Sequence, residues 1–185
     1  MAAAALRGGA DVLQLRQKQL GRGDLLTLAR RLRGLSRDAG SLFVVNDYLD
    51  LALLSEADGV HLGPDDLTVG AARRVAGDRL LIGASASTPA AALAAVHSGA
   101  DYIGSGPAFA TPLKPQKKVI GPKGVAEVAA ALDRSVPVFA IGGIDASNIT
   151  NLTAAGVRRA CVVRAVGDAP DPEAATRRLR AMLEA

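Results

Sequence analysis

The sequence has little cysteine, little aromatic character and little net charge. Cys161 is the single cysteine among 185 residues, which excludes an internal disulfide framework and favours a reducing compartment. Aromatic residues make up 3% and tryptophan is absent, so the chain lacks the stacking platforms that bind bases or sugars. The 22 Lys and Arg residues against 18 Asp and Glu residues leave a formal net charge of +4. This balance argues against a nucleic-acid partner and is compatible with an anionic small substrate.

The chain also lacks a long apolar run. No stretch reaches the length needed to cross a bilayer, and the alanine-rich start has neither a basic flank nor a long leucine core. We therefore expect a protein of the cytoplasm with no membrane partner. A length of 185 residues suffices for one sizeable core and is short for two, so residues 1–185 are predicted to form a single domain.

Short apolar runs alternate with helical patterns along the chain. Seven runs typical of buried parallel strands lie at 11–16, 42–47, 59–62, 80–84, 101–104, 136–141 and 159–163. Helical patterns lie at 2–7, 25–39, 49–57, 69–76, 90–98, 125–132, 146–155 and 172–183. Several helices end in a small-residue turn, such as Ser98-Gly99-Ala100-Asp101, that leads straight into the next strand. The sequence therefore predicts an α/β protein built from repeated βα units.

Two architectures satisfy this alternation, an open doubly wound sheet and a closed eight-stranded barrel. No G-x-G-x-x-G segment opens the first unit, which weakens the open sheet. A closed barrel needs eight strands, whereas the pattern predicts seven with a helix before the first. We therefore expect a TIM (β/α)8-type barrel that lacks its first strand at the N-terminus, with a start that is either truncated or mis-assigned. Unpaired strand edges beside the gap predict low stability or a homo-oligomer.

Polar residues gather where the predicted strands end, which is the active face of a parallel barrel. In the first strand Gln14, Arg16 and Lys18 alternate with leucines, so period-two geometry places these three side chains on one face. The later strands end in Asn46-Asp47, His61 followed by Asp65-Asp66, Ser85, Gly104-Ser105-Gly106, Gly142-Gly143 and Arg164. One mouth is thus predicted to collect carboxylates, cations and two glycine-bearing loops.

Two of these carboxylates are candidate metal ligands. Asp47 and Asp66 follow different strands, which suits a Mg²⁺ ion held by few carboxylates and otherwise by water and substrate phosphate. A magnesium diphosphate is the ligand that this arrangement favours. The structural alternative is that Asp47 caps the helix beginning at Leu49 and that Asp66 caps the helix after Thr68.

Two loops of the mouth are candidate phosphate contacts. Gly142-Gly143 precedes a helix predicted from about Ala146 and could offer backbone N–H groups to an anion, with Arg164 in the adjacent loop. The proline-rich segment 107–115 could fold over the mouth and bring Lys114 to a leaving diphosphate. The same segment could equally be a solvated tether.

The other polar positions have structural interpretations beside the functional ones. Arg16 and Lys18 could form a solvated strand end, and Ser85 could be a turn residue. For His61 a satisfied histidine of the core is favoured over a catalytic one. His97 lies late in a helix, where its charge meets the helix dipole. The joint placement of the polar residues at one face favours the functional interpretation.

Several segments together resemble the thiamine phosphate synthase family. They occur in the order and approximate spacing of that family and run nearly end to end. The matching segments are Gln14-Leu15-Arg16-Gln17-Lys18, Val45-Asn46-Asp47, Asp58-Gly59-Val60-His61-Leu62-Gly63-Pro64-Asp65-Asp66-Leu67, Gly83-Ala84-Ser85, Gly99-Ala100-Asp101-Tyr102-Ile103-Gly104, Thr111-Pro112-Leu113-Lys114 and Ala140-Ile141-Gly142-Gly143-Ile144.

This resemblance implies a TIM-barrel enzyme that uses magnesium to join a hydroxymethylpyrimidine diphosphate to a thiazole phosphate, giving thiamine phosphate and diphosphate. The pyrimidine diphosphate would be held by Gln14, Arg16, Lys18, Asn46, Ser85 and Lys114. The Mg²⁺ ligands would be Asp47 and Asp66. The thiazole phosphate would bind at Thr111, Gly143, Val163 and Arg164. Of these, Arg16, Lys18, Ser85 and Lys114 are the expected catalytic residues, because the cations neutralise charge on the departing diphosphate.

Three positions depart from the family pattern. Gln17 stands where the family has Glu, Leu113 where it has Thr, and Arg164 where it has Ser, so the thiazole half-site differs more than the pyrimidine half-site. A TenI-like thiazole tautomerase shares the barrel but has a His in the loop after the fourth strand, where this chain has Ser87. A non-catalytic barrel that binds a phosphate ligand is the alternative from a different class.

Overall fold

The structure, a computed structural model, describes residues 1–112, 116 and 118–185. Within these residues the strands are β1 (Val12–Leu15), β2 (Leu42–Asn46), β3 (Gly59–Leu62), β4 (Leu81–Ser85), β5 (Tyr102–Ser105), β6 (Val138–Ile141) and β7 (Ala160–Cys161). The helices are α1 (Ala2–Arg7), α2 (Arg22–Asp38), α3 (Leu49–Leu54), α4 (Val69–Ala76), α5 (Pro89–His97), α6 (Gly121–Ala130), α7 (Ile149–Ala154), α8 (Arg164–Gly167) and α9 (Pro172–Glu184). A 3₁₀ turn at Gly77–Arg79 follows α4.

The strands form one parallel sheet in sequence order, β1 to β7. The register advances steadily, with Leu15 beside Val45 and Asn46 beside His61 in the first two pairings. The sheet curls into a half-barrel with the helices outside it, which confirms the predicted TIM-type α/β fold with seven strands. Because all strands run in one direction, their carboxyl ends share one mouth.

Alternate residues of the strands pack against the helical layer. One buried cluster joins side chains of β1 to β4 to helices α2 to α4, and Phe43, Val45 and Ile82 are its fully buried strand members. A second cluster joins β4 to β6 to helices α5 to α9. The intervening strand residues, His61 and Tyr102 among them, face the inside of the half-barrel, where their rings meet. The inner face is therefore the one that can carry a site.

The helical layer continues across the gap in the sheet. No pairing among the described residues joins β1 to β7, yet α1 packs directly on α9. Arg7 Nε donates to Glu173 Oε2 at 2.8 Å, and Arg180 forms an ion pair with Asp11 at 2.8 Å. Ala5 and Leu179 are buried in the same cluster. The contact between α1 and α9 thus covers the open side of the half-barrel.

Several element boundaries differ from the sequence prediction. Helix α7 begins at Ile149 rather than near Ala146, because Asp145 and Asn148 exchange backbone and side-chain hydrogen bonds in a turn before it. Helix α3 ends at Leu54 rather than at residue 57, since Glu56 has a φ of 55°. Helix α8 was not predicted at all. None of the described helices has the length and apolar character needed to cross a membrane.

Candidate functional site

Apart from Lys114, which lies outside the described residues, the residues predicted for the pyrimidine half-site lie on or directly after β1, β2 and β4, at the carboxyl-end mouth. Gln14, in β1, is half-buried, and Arg16 follows it as an exposed side chain. Asn46 ends β2, is 8% exposed and lies beside His61 in the register of β2 and β3. Ser85 is the exposed last residue of β4. The fold therefore places these predicted residues at or next to the carboxyl ends of β1, β2 and β4.

Asp47 is held in an unusual backbone conformation. Its φ of 69° lies in the left-handed region, which non-glycine residues seldom occupy but which Asp and Asn tolerate better than most. The Asp47 N–H donates to the carbonyl of His61 at 2.8 Å, so the turn is fastened to β3. Strain of this kind persists where the surroundings enforce it and clusters at functional sites. The turn thus sets the direction of the Asp47 carboxylate at the mouth.

Asp47 and Asp66 form one acidic cluster with Lys18. Lys18 Nζ lies 3.2 Å from Asp47 Oδ2, and Asp66 Oδ2 accepts a hydrogen bond from the Gly63 N–H at 2.8 Å. Burial raises the pKa of Asp66, and the hydrogen bond and negative charge of nearby Asp47 raise it further. The two carboxylates, from the loops after β2 and β3, are therefore close enough to repel each other. A cation between them would relieve that repulsion.

The structure excludes the helix-capping alternative for both aspartates. The N-cap of α3 is Tyr48, and its side chain makes no capping hydrogen bond. The N-cap of α4 is Thr68, whose Oγ1 accepts the Ala71 N–H at 3.3 Å. Asp47 and Asp66 are thus carboxylates at the mouth and not caps of the following helices.

Ser85 belongs to a hydrogen-bonded chain that sequence reasoning missed. His61 Nε2 lies 3.0 Å from Ser85 Oγ, and His61 Nδ1 lies 3.2 Å from the Tyr102 hydroxyl. The N-cap of α5 is Thr88, whose side chain accepts the Ala91 N–H, so Ser85 does not cap this helix. His61 is 8% exposed and Tyr102 half-buried, which agrees with a satisfied interior histidine. Its partner Ser85 is nevertheless exposed at the mouth, so the hydrogen bonds connect the interior of the half-barrel to the site.

The predicted phosphate loops lie side by side, with one correction. Gly142 and Gly143 have φ values of 100° and 63°, and the described part of the loop after β5 packs on them. A Cβ on Gly143 would lie 2.4 Å from the Ala110 carbonyl oxygen, so this glycine is required by close backbone approach. Because α7 begins only at Ile149, the helix N-terminus predicted at about Ala146 is absent from this loop.

Arg164 lies next to this loop, at the start of α8, and is preceded by exposed Val163. Hydrogen bonds from Ser147 lower the pKa of Asp145, and the charge of Arg164 lowers it slightly further. The guanidinium is therefore on the side of the mouth where the loop after β6 lies. Thr111 is half-buried, whereas Leu113 and Lys114 lie outside the described residues.

The described residues contain no group of three or more His, Cys, Asp and Glu side chains that could enclose a metal ion. A site with only two carboxylates suits Mg²⁺, which keeps several waters and often completes its shell with substrate phosphates. The donor set of Asp47 and Asp66 therefore fits a magnesium ion that arrives with a diphosphate.

Comparison with known proteins agrees with this fold. A family model described as thiamine monophosphate synthase matches residues 1–166. The thiamine-phosphate synthase of Methanoculleus marisnigri is 47% identical over 181 residues, covering 97% of this chain and 85% of that protein. The thiamine-phosphate synthase of Salinibacter ruber is 43% identical over 185 residues, covering 100% and 81%. The solved structure of a thiamine phosphate pyrophosphorylase from Pyrococcus furiosus superposes with a TM-score of 0.92 and 37% identity, covering 99% of this chain and 87% of that one.

Proposed function

This chain belongs to the thiamine monophosphate synthase family, and we propose that it joins 4-amino-2-methyl-5-hydroxymethylpyrimidine diphosphate to a thiazole phosphate. The products are thiamine phosphate and diphosphate. The observation that carries the proposal is the cluster of Lys18, Asp47 and Asp66 at the mouth, close to the end of β3. Such a cluster pairs cationic and metal-binding groups, which a diphosphate leaving group requires.

We propose that Asp47 and Asp66 hold Mg²⁺ on the diphosphate. The ion would supply Lewis-acid stabilisation of the negative charge that grows on the leaving oxygen. Lys18 bonds to Asp47 and is more than half exposed, so its ammonium can turn to a phosphate oxygen when substrate binds. We propose that Arg16 adds positive charge at the same end of the substrate. We propose the same role for Lys114, which lies outside the described residues.

The remaining predicted residues are assigned to orientation of the two substrates. We propose that Gln14, Asn46 and Ser85 hold the pyrimidine diphosphate, and that Thr111, Gly143, Val163 and Arg164 surround the thiazole phosphate. In the transfer, the bond from the pyrimidine methylene carbon to the diphosphate oxygen breaks and its electron pair leaves with diphosphate. The thiazole nitrogen supplies the pair for the new bond. No protein nucleophile is needed, so the side chains act by binding, charge and orientation.

The substitution Asp47→Asn tests the proposal. Asparagine tolerates the left-handed φ of this turn, so the variant removes charge while it keeps the backbone. We expect diphosphate release to fall by at least about 100-fold at saturating substrates, because loss even of outer-shell metal partners costs on the order of 10- to 100-fold. Release would be measured with a coupled assay across a magnesium titration.

The matched control is Asp50→Asn, which removes an exposed carboxylate three positions away that pairs with Arg22 on the helical layer. Turnover of this variant should stay within about twofold of wild type. Unchanged turnover of Asp47→Asn at saturating Mg²⁺ would remove Asp47 from the mechanism. Absence of diphosphate release by the wild-type chain would instead support a non-catalytic barrel.

Four further expectations accompany this function. We propose that residues 1–185 act as one domain and that the reaction takes place in the cytoplasm, for which the single cysteine is the support. The chain's partners are then its small-molecule substrates. Homo-oligomer formation at the gap between β1 and β7 stays a prediction.

A further inference from the structure

A chain of three hydrogen-bonding side chains runs from the inside of the half-barrel to the mouth. Tyr102, on β5, contacts His61 Nδ1 at 3.2 Å, and His61 Nε2 contacts Ser85 Oγ at 3.0 Å. His61 is 8% exposed, whereas Ser85 is exposed at the end of β4. The chain thus links a half-buried ring inside the half-barrel to a hydroxyl that is exposed at its mouth.

Two glycines make room for the rings of this chain. A Cβ on Gly83 would lie 2.0 Å from Tyr102 Cζ, and a Cβ on Gly104 would lie 2.9 Å from His61 Cε1. The Tyr102 ring therefore lies directly against the backbone of the adjacent strand β4, and the His61 ring lies against the backbone of β5, two strands from its own. Phe139 packs its ring edge-to-face on Tyr102 at a centroid distance of 5.7 Å. These contacts fix the positions of both rings, so the hydrogen bonds between them are structurally enforced.

The direction of the hydrogen bonds follows from Tyr102. Burial raises the pKa of the Tyr102 phenol, so the hydroxyl keeps its hydrogen at neutral pH. Among the described residues, this hydroxyl has a single hydrogen-bond partner, which is Nδ1 of His61. A half-buried phenol with one partner is satisfied when it donates to that partner. Nδ1 is then the acceptor, and Nε2 carries the ring hydrogen and donates to Ser85 Oγ.

We infer that Tyr102 is a positioning residue for the pyrimidine diphosphate site. By donating to Nδ1 it selects the His61 tautomer whose Nε2–H holds Ser85 Oγ, which leaves the Ser85 hydrogen directed at the substrate. The inference rests on the proposed function, because that function makes Ser85 a substrate contact. With the opposite tautomer, Ser85 would donate to Nε2 and could offer the substrate only its lone pairs.

The tautomer can be read without any substrate. The chain has two histidines, His61 and the exposed His97 at the end of α5, so ring ¹⁵N NMR shows both and His97 serves as an internal reference. We expect His61 of the wild type, at a pH where the ring is neutral, to be the Nε2–H tautomer. Tyr102→Phe keeps the ring against Gly83 and Phe139 and should give a mixture of tautomers.

The chain's other tyrosine supplies the matched control. Tyr48→Phe also removes one hydroxyl, but its ring stacks under Arg22 on α2 and not on His61, so the His61 signals should not change. A wild-type His61 in the Nδ1–H form, or a tautomer that is unaltered in Tyr102→Phe, would overturn the inference whatever the activity.

Binding then tests whether the effect passes through Ser85. We expect Tyr102→Phe and Ser85→Ala each to weaken binding of the pyrimidine diphosphate by about 3- to 10-fold, as for one hydrogen bond. In the Ser85→Ala background, Tyr102→Phe should cause no further loss of affinity. If Tyr102→Phe damaged the structure independently of Ser85, its loss of affinity would add to that of Ser85→Ala. Additive losses would overturn the inference. A wild-type chain that does not bind this diphosphate would overturn the proposed function and the substrate part of the inference, but not the tautomer result.

Discussion

At the scale of single residues, the feature of interest is that charged side chains at the mouth lie close to one another. Asp47 and Asp66 repel each other, Lys18 already lies on Asp47, and Arg164 lies near Asp145 on the other side of the mouth. Lys18 thus forms an ion pair on one side of the mouth, and the charge of Arg164 is felt by a carboxylate on the other. A phosphate that binds Lys18 must compete with the Asp47 carboxylate, so we expect charge as well as shape to affect which substrates bind.

Arg164 gives a prediction about the second substrate. Ser is usual in the family at this position, and a guanidinium there can bind a phosphate with two parallel hydrogen bonds. We expect Arg164→Ser to weaken thiazole phosphate binding by roughly 10- to 150-fold, since a hydrogen bond to a charged group is worth about 1.5–3 kcal/mol. Calorimetric titration of each substrate separately measures this. Arg164→Lys keeps the charge without the bidentate geometry and should fall between the two.

Pyrimidine diphosphate binding is the internal control for Arg164, because its proposed contacts do not include Arg164 or its neighbours after β7. Its affinity should be the same in all three proteins. Equal thiazole phosphate affinity in wild type and Arg164→Ser would show that Arg164 does not compensate for the missing Ser.

At the scale of elements, one device recurs where a helix leads into a strand. Asp58 precedes β3, and its Oδ2 accepts both the Phe43 N–H of β2 at 2.7 Å and Arg33 Nη1 of α2 at 2.9 Å. Asp101 does the same before β5, accepting the Ile82 N–H of β4 and pairing with Arg73 of α4. A carboxylate at this junction therefore ties a strand, its neighbour and a helix together. This explains why the Ala-Asp turn repeats in the sequence.

Loss of such a junction should destabilise the fold. The Asp58 and Arg33 side chains are 22% and 26% exposed, so the bonds are partly shielded from water. We expect Asp58→Ala to lower the free energy of unfolding by about 2–3 kcal/mol, because it leaves the Phe43 N–H and Arg33 without their acceptor. Asp58→Asn keeps an acceptor for the N–H and should lose less. Urea unfolding measures both changes, and equal loss in the two variants would show that only the charge matters.

The sequence predicted the strands better than the site, for reasons that lie in particular residues. Buried parallel strands are nearly continuous apolar runs, so each was found. Helix α8 has four residues, too few to show a helical period. The bond between His61 and Tyr102 joins positions 41 residues apart, which no local pattern reveals. The left-handed φ of Asp47 depends on its hydrogen bond to β3, and is likewise a tertiary property.

At the scale of the whole molecule, stability depends on closing the open side of the half-barrel. Strands β1 and β7 do not pair with each other in the described part of the chain, so the first and last helices make this closure. Gly8, which ends α1, lies directly on α9. A Cβ there would be 2.5 Å from the Glu173 carbonyl oxygen and 2.7 Å from Thr176 Cβ. The absence of a side chain at Gly8 is what lets the two helices approach.

The substitution Gly8→Ala therefore separates packing from backbone strain. The φ of Gly8 is −73°, which alanine adopts without strain, so any loss comes from pushing α1 away from α9. We expect the free energy of unfolding to fall by about 1–3 kcal/mol, the usual cost of overpacking. The control is Gly34→Ala inside α2, where a Cβ would meet nothing within 4 Å. That change should stabilise the protein by about 0.5–1 kcal/mol through helix propensity. Urea unfolding of the three proteins decides the question: if Gly8→Ala were as stable as Gly34→Ala, the contact of α1 with α9 would not be what closes the half-barrel.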